Sequence, residues 1–110
     1  MNWIALTKEE QLEDIKAQSH QQPVIIFKHS TRCSISTMAK SRLEREQAPD
    51  NIPFYYLDLL QYRPISNKIA EDFKVHHESP QILLIKNGEC VYEESHNGID
   101  MADIMEQTTL

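Results

Sequence analysis

The sequence predicts an α/β fold in which a βαβ unit is followed by a ββα unit around one central mixed sheet, with an added N-terminal helix. Three observations predict it. Val24-Ile25-Ile26-Phe27 and Ile82-Leu83-Leu84-Ile85 are unbroken apolar runs, the pattern of strands covered on both faces. Segments of helical period separate the early strand candidates, as parallel crossovers require. Asn87-Gly88, which can adopt positive φ at both positions, then marks a two-residue hairpin.

The elements follow in order. Trp3, Ile4 and Leu6 suit a short strand or a tucked-in arm. Thr7 with Glu10 reads as a capping box, which predicts a helix over residues 8–19. Its apolar face is thin, carried by Leu12 and Ile15, so the helix should pack at an edge. Gln21-Gln22-Pro23 breaks the chain before the first central strand. From Ser34, an amphipathic helix with Ile35, Met38, Ala39 and Leu43 as its apolar face is expected to end near Ala48-Pro49-Asp50-Asn51. Residues 54–60 predict a second strand, with Asp58 near its end. Pro64-Ile65-Ser66 opens a helix that aligns Ile65, Ile69 and Phe73 on one face. After the hairpin, Cys90-Val91-Tyr92 continues outward, Asn97-Gly98 turns the chain, and Met101, Ile104 and Met105 suggest a last helix from about Asp100.

A chain of 110 residues suits one domain, residues 1–110, with a single core. Its 40% hydrophobic and 25% charged residues, with only two glycines, carry no signature of disorder. A net charge of −6 argues against nucleic acid or an anionic membrane as main partner, because both reward clustered Lys and Arg. A small anionic ligand stays open, since Lys28, His29 and Arg32 adjoin Cys33 in sequence. With no signal-peptide pattern, no apolar run long enough to span a membrane and only two cysteines, a cytoplasmic setting is expected. Tyr55, Tyr56 and methionines, if exposed, would support a dimer; the expectation is a monomer or weak dimer.

Cys33 carries the chemistry. It falls between a strand and a helix, where unpaired amide protons and the positive end of the helix dipole favour a thiolate. Arg32 adds positive charge beside it, and a hydrogen bond from Ser36 would stabilise the same form. Ser36 occupies the place, three residues on, where a dithiol motif carries its second cysteine. Cys90 is either a rival resolving thiol or an inert core residue. His29 is either part of the site or an exposed strand end, while His76 and His77 either approach Cys33 or are solvated loop residues.

Pro80 with Ile82-Leu83-Leu84-Ile85-Lys86-Asn87-Gly88-Glu89 resembles the thioredoxin segment in which a cis-proline opens the strand before a Lys-Asn-Gly hairpin. With Cys33 after the first central strand, the resemblance spans residues 22–107. Within that superfamily, Lys28-His29-Ser30-Thr31 leading to Cys33 and Ile35-Ser36 resembles the monothiol bacilliredoxins, small bacterial general stress proteins of the bacillithiol system. Their usual Thr-Cys-Pro-Ile-Ser reads Arg32-Cys33-Ser34-Ile35-Ser36 here, so Arg32 and Ser34 depart from it. Phe27 stands where thioredoxins carry the buried aspartate that helps deprotonate the second cysteine, so that acid and that cysteine are missing together.

The resemblance implies a thioredoxin-like fold and a monothiol thiol-disulfide oxidoreductase. Cys33 would take a low-molecular-weight thiol from protein mixed disulfides, with Ser36 beside it. Arg32, Ser34, His29 and the Ser79-Pro80 pair would line the substrate groove, the bond before Pro80 being cis. No bound cofactor is implied; bacillithiol or another small thiol would be the co-substrate, and S-thiolated proteins the partners. Two readings compete. One is a module binding a metal or cluster through Cys33 and histidines, although the ligand spacing of a zinc site is missing and Ser34-Ile35 replaces the Gly-Phe of cluster-sharing monothiol glutaredoxins. The other is a non-catalytic adaptor of the same fold.

Overall fold

The structure, a computed structural model, describes residues 1–110. Five strands, β1 (Trp3–Ala5), β2 (Val24–His29), β3 (Phe54–Asp58), β4 (Gln81–Lys86) and β5 (Glu89–Ser95), form one sheet in the order β1-β3-β2-β4-β5. β3 runs parallel to β1 and β2, while β4 runs antiparallel to β2 and β5. The chain is thus α/β with a mixed sheet and the thioredoxin strand sequence expected. Helices α1 (Glu10–Gln18), α2 (Ser34–Glu44), α3 (Arg63–Phe73) and α4 (Met101–Thr108) cover both faces. No helix is long and apolar enough to cross a membrane.

Strand alternation divides the core into two layers. Val24, Ile26, Leu57, Leu83 and Ile85 meet Leu12 and Ile15 of α1 and Ile65, Ile69 and Phe73 of α3. Ile25, Phe27, Phe54, Ile82 and Leu84 meet Ala39 and Leu43 of α2 and Met101 and Ile104 of α4. Every residue of β2 is buried, because it lies centrally and carries helices on both sides. The hairpin turns through Asn87 and Gly88, at φ 53° and 78°, as the dipeptide requires. At the start of α4, Asp100 caps the helix by accepting from the Asp103 N–H at 3.3 Å.

Several expectations need correction. The capping box of Thr7 and Glu10 does not form: α1 begins at Glu10, and the Gln11 side chain accepts from the Thr7 and Lys8 N–H groups while donating to the Ala5 carbonyl. A glutamine carries donor and acceptor together, so one side chain ties the end of β1 to the start of α1. α2 is shorter than expected and rotated. Its buried residues are Ser36, Ala39 and Leu43, whereas Ile35 and Met38 are 48% and 63% exposed. Tyr55 is buried, its hydroxyl accepting from Gln18 Nε2 at 2.8 Å, and so offers no dimer surface. β3 stops at Asp58, whose carboxylate accepts from the Leu60 N–H and turns the chain toward α3.

Candidate functional site

Cys33 is the N-cap of α2. Its backbone is extended (φ −106°, ψ 121°), its N–H donates to the Ser30 carbonyl at 3.1 Å, and its own carbonyl accepts from the Thr37 N–H at 3.0 Å. The side chain makes no capping hydrogen bond, so the sulfur stands at a helix start whose orphan amides are free to face an anion. No acidic residue occupies the first turn of α2 to oppose that charge. Cys33 is half-buried and outside any disulfide, flanked by exposed Arg32 and Ser34.

Ser36 is fully buried, and its partners differ from the one expected. Its Oγ accepts from the Ser30 N–H at 3.0 Å and shares a 2.6 Å hydrogen bond with His29 Nδ1; no hydrogen bond joins it to Cys33. His29 is correspondingly buried, not an exposed strand end, and its side chain packs toward α2, stacked on Phe27. Burial, with Lys40 nearby, holds the imidazole below the usual histidine value, so the ring is neutral at pH 7. With the ring proton on Nε2, the serine hydroxyl donates to His29 Nδ1; with it on Nδ1, the ring donates to the serine oxygen. Ser36→Ala would strip both the Ser30 amide and His29 Nδ1 of their partner. A loss of about 1–3 kcal/mol in chemical denaturation is expected.

Lys28 does not join His29 and Arg32. Consecutive strand residues face opposite sides, and Lys28 points to the α3 side, where it is fully buried. Its Nζ donates to His77 Nδ1 at 2.7 Å, and the exposed His77 ring closes over it. Burial pushes Lys28 down to about 8, although Glu78 pulls the other way. Desolvation first, and the Lys28 charge second, hold His77 below the usual histidine range.

The Ser79-Pro80 bond is cis. Gln81 pairs with Lys28 in the β2–β4 ladder, so Pro80 sits beside His29, at the sheet end from which the Ser30–Cys33 turn springs. His96 follows β5 at the same end; its N–H donates to the Pro80 carbonyl, and its φ of 54° places the positive torsion there and not on Asn97 or Gly98. Sequence reasoning missed Gln81 and His96. A lone polar residue opening an apolar strand, and a histidine in a loop, carry no pattern that would single them out.

Cys90 is half-buried against the α1–α3 layer, and its thiol donates to the Tyr92 carbonyl. Burial pushes it up to about 11, which leaves it a packed thiol without nucleophilic character at neutral pH. No three His, Cys, Asp or Glu side chains gather in a way that could hold a metal ion. A hollow of about 610 Å³ lies at the opposite end of the strands, lined by residues that include Gln22, Pro49, Ile52 and Pro53.

Known proteins share this fold. The family of monothiol bacilliredoxin BrxC matches residues 4–104. A solved structure of a candidate oxidoreductase with a thioredoxin fold superposes at a TM-score of 0.82 and 31% identity, over 94% of this chain and 91% of that one. Thioredoxin from Malassezia sympodialis (TM-score 0.71, 19% identity, 99% and 89% of the two chains) and from Fasciola hepatica (0.69, 18%, 96% and 95%) share the fold. With one half-buried cysteine at the head of α2 and a serine three residues on, the chain belongs to the monothiol bacilliredoxins, a redox family on the thioredoxin fold.

Proposed function

We propose that the protein removes a small thiol of the bacillithiol class from protein mixed disulfides, with Cys33 as nucleophile. The observation that carries this reading is the pairing of a free sulfur at a helix start with a buried serine where a resolving thiol would stand. The Cys33 thiolate attacks the small-thiol sulfur of the mixed disulfide. A new disulfide forms between Cys33 and the small thiol, and the protein thiolate departs and takes a proton from solvent. With Cys90 packed half-buried in the opposite layer, a second small-thiol thiolate must attack the bound small-thiol sulfur, leaving a symmetrical small disulfide and restoring Cys33. The net reaction reduces the protein thiol and oxidises one free small thiol, which ends paired in the symmetrical disulfide with the one released.

Family membership and the redox fold support the class of reaction; the exposed Arg32 guanidinium supports a thiol bearing carboxylates. Reduced protein mixed with a peptide bearing a bacillithiol disulfide should gain the mass of one bacillithiol on Cys33 as free peptide appears. A mass gain equal to the peptide, with no small thiol on Cys33, would reverse the direction of attack and overturn the assignment.

A further inference from the structure

Buried polar side chains concentrate under one loop. Lys28 and Gln81 are both 0% exposed and face each other across β2 and β4. On the same face of this ladder the neighbouring pairs are Ile26 with Leu83 and Val24 with Ile85, so an apolar pair would continue the core. Instead both side chains reach out to the segment leading into Pro80. Lys28 Nζ donates to His77 Nδ1 at 2.7 Å, and Gln81 Nε2 donates to the His76 carbonyl at 2.9 Å and to Glu93 at 3.1 Å. Ser66 Oγ, also fully buried, lies 3.4 Å from the same His77 nitrogen.

Residues 76–79 make no main-chain to main-chain hydrogen bond. Their conformation depends on these side chains. The arrangement is costly: a lysine without a carboxylate hydrogen-bond partner is desolvated, and Gln81 Oε1 and Ser79 Oγ are buried without partners. An apolar residue at 28 would serve the core better, so the network acts on the loop and not on the core.

Resting on the exchange reading above, we propose that Lys28, Gln81 and His77 are positioning residues that latch the 76–80 segment in the shape that receives the mixed disulfide beside Cys33. None of them touches the reacting sulfurs. Release of the latch lowers the fraction of molecules with a formed groove, which weakens apparent substrate binding by that fraction while the chemistry at α2 is unchanged.

The test compares steady-state kinetics on a peptide bearing a bacillithiol mixed disulfide with backbone NMR order parameters at residues 76–79. His77→Ala and Lys28→Met should each raise KM about tenfold with kcat within about twofold, and lower the order parameters at 76–79. His77→Gln, whose amide oxygen can accept from Lys28, should bring KM back to within about threefold of the parent protein. Lys28→Met should melt higher than the parent, which separates a loosened groove from general unfolding. An unchanged KM in both His77→Ala and Lys28→Met, or a fall in kcat at constant KM, overturns the latch. Failure of the parent protein to release the small thiol would instead overturn the exchange reading, and the order parameters at 76–79 would then decide the latch alone.

Discussion

Cys33→Ser is expected to lower small-thiol release at least ~10³-fold, a loss of about 4 kcal/mol in transition-state stabilisation. A serine hydroxyl is not ionised at neutral pH and makes a poor leaving group from a disulfide, so neither attack nor regeneration proceeds. Helix start, Arg32 and groove all remain in the variant, so the loss isolates the sulfur. Cys90→Ser provides the control. That thiol lies in the α1–α3 layer with its ionisation pushed up to about 11, and release should stay within about twofold of the parent. Release measured by mass spectrometry that survives in Cys33→Ser, or vanishes in Cys90→Ser, would remove Cys33 from its role.

Lys28→Met should stabilise the fold by about 1–4 kcal/mol at pH 7, the range found when buried charges give way to apolar residues of similar volume. The pH dependence gives a sharper signature. Lys28 has an ordinary value of 10.5 and a folded value of about 8. Below about pH 8 the lysine is protonated in both folded and unfolded chains, and the folded state bears the whole cost of the buried charge. Between about 8 and 10.5 the folded protein has lost that proton while the unfolded chain keeps it, so this group's contribution to stability rises with pH. At about 1.4 kcal/mol per unit the full excursion is worth about 3 kcal/mol. Cys90 acts in the opposite sense, because its folded value is raised and the unfolded chain ionises first from about pH 9. The two largely offset in the parent protein. The difference between parent and Lys28→Met is free of Cys90, and should shrink steadily from pH 8 to 10.5 in urea titrations. A difference that stays constant across that window would show that Lys28 is not a buried titrating ammonium.

Most of the fold was legible because its signals are local. The unbroken runs at 24–27 and 82–85 became the two central strands, Asn87-Gly88 became the hairpin, and Ile65, Ile69 and Phe73 became one buried face. Where the reading missed, tertiary demands overrode local pattern. The face of α2 rotated because Ser36 is drawn inward by His29 and the Ser30 amide, which leaves Ile35 and Met38 in solvent. Thr7 lost its capping role to Gln11, which satisfies more groups from one position. At the site, Cys33, Ser36 and Ser79-Pro80 could be picked out from chemistry and resemblance. The placement of Lys28 on the face opposite His29 follows from strand alternation alone, yet three basic residues adjoining a cysteine in sequence suggested a cluster that the pleat forbids. His77 stood out in the sequence as a histidine that could approach Cys33, but its pairing with Lys28 was out of reach, because it depends on a loop whose path no propensity encodes.

The docking of the N-terminal strand has an optical consequence. Trp3, the chain's one tryptophan, stacks on Phe27 at 5.5 Å and donates its indole N–H to Glu44, the last residue of α2. Cys33 begins the same helix, which over 11 residues is about 16 Å long. Intrinsic fluorescence in this protein is therefore a gauge of whether β1 is zipped onto β3 and tied to the far end of α2. A red shift of that emission would signal fraying of the N-terminal strand.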